Sequence, residues 1–177
     1  MGNKILLFVL VAVFVFPFVF AVDIDACKTS GWVADTIYNL NQTVNTTGHC
    51  FDNFQAANVT VDCQGYNITG VNDDNKYGIL IDSGSIVDAN LTFRNCNFYN
   101  FSRGINLNGK GNHNFVNISV YNSSQHAIYF SNGAHNNNFT NILISNISSA
   151  TGNGVALWSG STNNTFDNIG FHNITLF

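Results

Sequence analysis

The chain has 177 residues, enough for one domain, and 45% of them are hydrophobic, so it can bury a core and need not be disordered. Only 9% are charged, every acid is aspartate, and the formal net charge is −4, which argues against a nucleic-acid partner. About 30 asparagines, 15 glycines, one proline and no glutamate suit neither a helical bundle nor a hyperthermophile source.

At the N-terminus, Lys4 precedes an apolar run from Ile5 to Phe20, and Val19-Phe20-Ala21 leads into a polar stretch from Asp23. This predicts a secretory signal peptide over residues 1–21. The run of about 16 residues falls short of the roughly 20 that span a bilayer, so membrane contact is expected only through this segment. Residues 22–57 are expected to form an N-terminal cap and the first coil, with Trp32, Ile37, Tyr38 and Leu40 as the covering apolar groups. Export makes disulfides the default for Cys27, Cys50, Cys63 and Cys96. No C-x-x-C pair is present, which disfavours a zinc ribbon. Three pairings are possible, and we favour Cys27–Cys50 with Cys63–Cys96.

Residues 58–177 carry internal repeats. Four segments align without gaps: NLTFRNCNFYNFS from Asn90, NHNFVNISVYNSS from Asn112, NNNFTNILISNISS from Asn136 and NNTFDNIGFHNIT from Asn163. Their starts lie 22, 24 and 27 residues apart, and a looser copy begins at Asn58. Phe93, Phe115, Phe139 and Phe166 share one column, led by Val61. Cys96, Ile118, Ile142 and Ile169 share a second, and Phe98, Val120, Ile144 and Phe171 a third. Two asparagine columns run beside them: Asn95, Asn117, Asn141, Asn168 and Asn100, Asn122, Asn146, Asn173. Between the copies lie GILI from Gly78, GINL from Gly104, AIYF from Ala127 and GVAL from Gly154.

Within each unit the apolar period is 2, and asparagine- and glycine-rich turns separate the units. Short strands recurring every 22 to 27 residues predict a β-solenoid, all-β, of about five coils. Like residues then stack on like, and each asparagine amide donates to the next. Crossovers between parallel strands favour a right-handed parallel β-helix over the antiparallel sandwich that is its rival. The last copy runs into Leu176-Phe177 without a polar capping segment, so the C-terminal end is expected to be truncated.

The segment NVTVDCQGYNITG from Asn58, with the recurrent GI-x-L and Asn-Asn-x-Phe units, resembles secreted right-handed β-helix repeat proteins of the pectin-lyase-like superfamily. Its nearest likeness is to the exported repeat proteins that include the periplasmic copper-site maturation family. The resemblance covers Cys27 to Phe177 and implies a fold, not an activity, because that fold hosts lyases, hydrolases, epimerases, adhesins and scaffolds.

The chemical signals are sparse. Asp73 and Asp74 adjoin in a loop and Arg103 opens a strand unit, but no acid column recurs on later coils, so the pair reads as a solvated turn. The histidines His49, His113, His126, His135 and His172 form no close pair, and the only methionine is Met1. The copper link of the related family therefore does not transfer; no metal, cofactor or catalytic residue is expected. Twelve N-x-[ST] sequons occur. Asn41, Asn45 and Asn163 are the loop candidates for glycosylation, whereas the sequons in the Asn100 column would be closed if that ladder were buried. Tyr99, Tyr121 and His172 share an outward column and could stack on sugar rings. The expected function is an exported, cell-surface or secreted scaffold, non-catalytic in this segment, contacting a polysaccharide or other envelope component. The alternatives are a polysaccharide lyase or glycoside hydrolase with its site beyond Phe177, and a purely structural adhesin-like repeat. The sequence leaves the oligomeric state open.

Overall fold

The fold is known from a computed structural model, which describes residues 20–82, 84–85, 89–147 and 152–174. Among these the chain forms thirteen strands and no helix. One sheet stacks β1 (Phe20–Ile24), β2 (Thr36–Leu40), β4 (Thr60–Asp62), β7 (Thr92–Tyr99), β9 (Asn114–Tyr121), β11 (Asn138–Ile147) and β13 (Thr165–Ile174) in that order. The short strands β3 (Val44–Asn45) and β5 (Asn67–Thr69) lie alongside. The second sheet stacks β6 (Tyr77–Ile81), β8 (Arg103–Asn108), β10 (His126–Ser131) and β12 (Val155–Leu157). All pairings are parallel, and from β6 onward the chain visits the two sheets alternately. The molecule is a parallel β-solenoid of about five turns.

Register follows the repeat columns. Phe93 pairs with Phe115, Phe115 with Phe139, and Phe139 with Phe166. Their rings stack with centroids 5.4, 4.5 and 5.0 Å apart, close to the spacing of neighbouring strands. Cys96, Ile118, Ile142, Phe98, Val120 and Ile144 fill the interior from one sheet, and Ile79, Ile81, Ile105, Leu107, Ile128 and Phe130 from the other. The second sheet lies close enough that its first interior position must be small. A Cβ on Gly104 would sit 2.5 Å from Val120 Cγ1 and 2.9 Å from the Ala127 carbonyl oxygen.

The turns explain the asparagine content. Among the described residues, seventeen of the twenty non-glycine positions with positive φ are asparagine, the residue that best tolerates this conformation after glycine. Asn95, Asn117, Asn141 and Asn168 have φ of 54 to 56°, and each Nδ2 donates to the Oδ1 one coil below at 3.1, 3.0 and 2.7 Å. The ladder ends on a carboxylate: Asn95 Nδ2 donates to Asp62 Oδ1 at 3.0 Å. A parallel ladder through Asn90 and Asn58 ends likewise on Asp35. One residue type thus meets the backbone and the inter-coil demand together.

Two disulfides, Cys27–Cys50 and Cys63–Cys96, staple successive coils in the favoured pairing. Trp32, Tyr38 and Leu40 are buried, with Trp32 stacked on Phe54 at 4.5 Å. Ile37 departs from its expected covering role. It pairs with Thr60, one residue off the inward column, and is only half-buried. Of the expected signal segment, residues 1–19 lie outside the described residues, while Phe20 and Ala21 open β1. Residues 175–177 also lie outside them, and with them the expected C-terminal end.

Candidate functional site

The outer face of the second sheet gathers the most chemically varied side chains of the solenoid. Gly104 and Ile105 both face the interior, so the alternation of sides breaks between them and Arg103 lies on the outer face against Tyr129. Its column reads Tyr77, Arg103, His126, with His49 below through the Phe51–Ile79 bridge. The position after each isoleucine forms a second column on this side, Leu80, Asn106, Tyr129 and Ala156, in which Tyr129 is half-buried and the other three are buried under their neighbours.

Arg103 is the centre. Its guanidinium carbon lies 3.9 Å from the centroid of Tyr129 and 5.4 Å from that of Tyr77. Its Nε donates to Gln125 Oε1 and an Nη donates to Asn106 Oδ1, both at 3.1 Å. Gln125 in turn donates to Asp74, so the Asp73–Asp74 loop is tied to this face. The His126 ring stacks on Tyr129 at 5.1 Å and His49 on Tyr77 at 5.0 Å. Trp158 lies 6.5 Å from Tyr129 and is 57% exposed. Cation–π contacts and charge-assisted hydrogen bonds to neutral amide oxygens hold the guanidinium among the rings.

Burial perturbs several groups here. It lowers the pKa of His49, partly offset by Asp52, and lowers that of His126, with the Arg103 charge acting in the same direction. It raises the Tyr77 phenol and the Asp52 carboxyl. Perturbed groups gathered on one face mark a candidate site. The carboxylates, however, are engaged in local structure: Asp52 accepts the Asn53 N–H and Asp74 accepts Gln125. The arrangement offers rings and fixed hydrogen-bonding groups on a flat surface, suited to holding a ligand.

The residues expected from sequence lie elsewhere. Tyr99, Tyr121, Ser145 and His172 form one outward column of the first sheet. Tyr99 and Tyr121 stack at 4.6 Å with planes 9° apart, so the two rings cover each other's facing surfaces. Burial, then the neighbouring Tyr121, raises the Tyr99 phenol. His172 is exposed and lies 3.5 Å from Ser145 Oγ. Asn41, Asn45 and Asn163 are all exposed, but Asn45 lies in β3, paired with Thr69, and Asn163 has a φ of 54° and stands in the Asn112–Asn136 turn column, so neither is in a free loop. The Asn100 column is at the surface, with Asn122, Asn146 and Asn173 exposed; Asn122 and Asn173 commit their amide nitrogens to the coil below. Among the described residues, no three metal-binding side chains converge.

Sequence reading singled out Arg103 but missed its partners Tyr77, His126, Tyr129 and Trp158. Their columns change residue type from coil to coil, so they carry no repeat signal. Extending the GI-x-L alignment to its outward neighbours would have found them. No protein-family model, curated protein or solved structure matches the chain.

Proposed function

We propose that the chain is an extracytoplasmic scaffold of the pectin-lyase-like kind that binds an envelope polysaccharide across the outer face of its second sheet. The observation that carries this reading is the single surface formed by Arg103, His126, Tyr129 and the exposed Trp158, with the buried Tyr77 packed beneath Arg103. Aromatic rings supply stacking area at low entropic cost, and Arg103 and Gln125 supply directional hydrogen bonds. The two disulfides are consistent with an oxidising compartment. A non-catalytic role fits carboxylates that are already tied into turns. The Tyr99–Tyr121 row is the lesser surface, since its two stacked rings lack the guanidinium that the Arg103 face sets beside its rings.

The test is affinity electrophoresis through gels cast with a panel of neutral and acidic polysaccharides. Retardation by at least one polymer, lost in Trp158→Ala and Arg103→Ala and kept in Tyr121→Ala, supports the reading. Absence of retardation across the panel, or loss only in Tyr121→Ala, overturns it.

A further inference from the structure

The joints between coils include a set of interchangeable acceptors. In one buried column, His113 Nδ1 accepts the Leu91 N–H at 3.2 Å, Asn137 Oδ1 accepts the His113 N–H at 3.1 Å, and Asn164 Oδ1 accepts the Asn137 N–H at 3.0 Å. Imidazole Nδ1 and amide Oδ1 occupy the same place on the side chain, so histidine and asparagine do one job there. They differ in one respect: the imidazole titrates near neutrality and cannot accept once protonated.

The same device recurs on the candidate face. His49 Nδ1 accepts the Tyr77 N–H at 3.2 Å, and His126 Nδ1 accepts the Asn153 N–H at 3.1 Å. Each bond joins one coil to the next. Beyond Asn153, the upper coil carries Val155, Ala156 and Trp158, and the His126 bond adds a side-chain joint to the backbone bonds, among them Ala127 N–H to the Asn153 carbonyl and Trp158 N–H to the Phe130 carbonyl, that hold this coil on the coil of Tyr129.

We propose that His49 and His126 are acid-sensitive joints, and that the His126 joint regulates the ligand face by loosening the Asn153 end of the Trp158 coil on protonation, while the backbone ladder between the two coils stays. The regulation of ligand binding rests on the function proposed above; the joints do not. Arg103 and Tyr129 face His126, and Asp74 reaches its surroundings through Gln125. Tyr77, Asp52, Asp82 and Lys76 surround His49. Burial holds both imidazoles neutral below their ordinary value, with the Arg103 charge adding to the effect at His126. Neutral imidazole is therefore the folded form. The joints contribute fully above about pH 6.5 and are lost as pH falls from there through the lowered folded values.

Residue-resolved amide exchange on the full chain between pH 7.5 and 5, corrected for intrinsic rates, tests this. The Asn153 and Tyr77 amides should lose protection by about five- to tenfold, the equivalent of one hydrogen bond. The Thr92 and Thr165 amides, which donate to backbone carbonyls, should hold theirs. His126→Asn should abolish the pH response at Asn153 and leave it at Tyr77, and His49→Asn should do the reverse. Unchanged protection at Asn153 while the His126 imidazole titrates overturns the joints, as does an unaltered pH response in His126→Asn. Retardation by any polymer that binds at pH 7.5 should weaken at pH 5 in the wild type; in His126→Asn the retardation measured at pH 7.5, whatever its size, should be the same at pH 5. Joints that open without altering retardation overturn the regulation alone. A chain that no polymer retards fails the glycan reading while leaving the joints standing.

Discussion

Replacing Asn117 separates the two roles assigned to the turn asparagines. Its Nδ2 donates to Asn95 at 3.1 Å, its Oδ1 accepts from Asn141 at 3.0 Å, and its φ is 54°. Asn117→Gly removes both bonds but keeps the left-handed conformation unstrained. At the low end expected for exposed bonds, that costs about 1 to 2 kcal/mol. Asn117→Ala removes the same bonds and also places a Cβ in the left-handed region, adding about 1 kcal/mol or more. The expected order of stability is wild type, glycine, alanine, with alanine down by about 2 to 3 kcal/mol. Equilibrium urea unfolding followed by circular dichroism measures all three. An alanine variant as stable as the glycine variant would refute the conformational argument. Two variants both within about 0.5 kcal/mol of wild type would refute the ladder argument as well.

Four other perturbations probe other parts of the stack. Gly104→Ala should destabilise by about 3 kcal/mol or more through overlap with Val120 and the Ala127 carbonyl. Gly133→Ala, at a φ of 80° with nothing within 4 Å, should cost only about 1 kcal/mol, and thermal denaturation compares the two. Converting Cys63 and Cys96 together to serine should lower unfolding free energy by about 2 to 5 kcal/mol in denaturant titration, because the bridge closes a loop with a sequence separation of 33. Burial pushes the Asp62 carboxyl up, but hydrogen bonds from Asn95, the Gln64 N–H and Arg94, with the Arg94 charge, bring it below the ordinary value. Its contribution is thus complete above about pH 4 and lost as pH falls through the lowered folded value, so Asp62→Asn should flatten that limb of an acid-unfolding curve.

Much of the fold was legible because a solenoid repeats its interior. Phe93, Phe115, Phe139 and Phe166 stack since each occupies the same place in successive coils, and near-identity along a column is what a sequence displays. The asparagine ladders were visible for the same reason. Their conformational cause was not, because a positive φ at Asn95 or Asn117 belongs to backbone geometry and leaves only a preference for asparagine. The carboxylate ends were also hidden: Asp62 and Asp35 stand below the asparagine ladders and break the columns. Most of the candidate site escaped because it is built from differences between coils. His49, Tyr77, Arg103 and His126 occupy equivalent places, yet no two successive coils share a residue type there, and Trp158 joins them from the Ser131 column. The Tyr99 row was visible as a column, but its face-to-face stacking appears only with the structure.

The most direct test of the account is to map bound polysaccharide onto the two outer faces by amide chemical-shift perturbation, using a polymer that retards the chain. The predicted result is shifts confined to the second sheet and its turns, at Tyr77, Arg103, Asn106, Tyr129 and Trp158. Shifts confined to the Tyr99, Tyr121 and His172 row would contradict the assignment of the ligand to the second sheet.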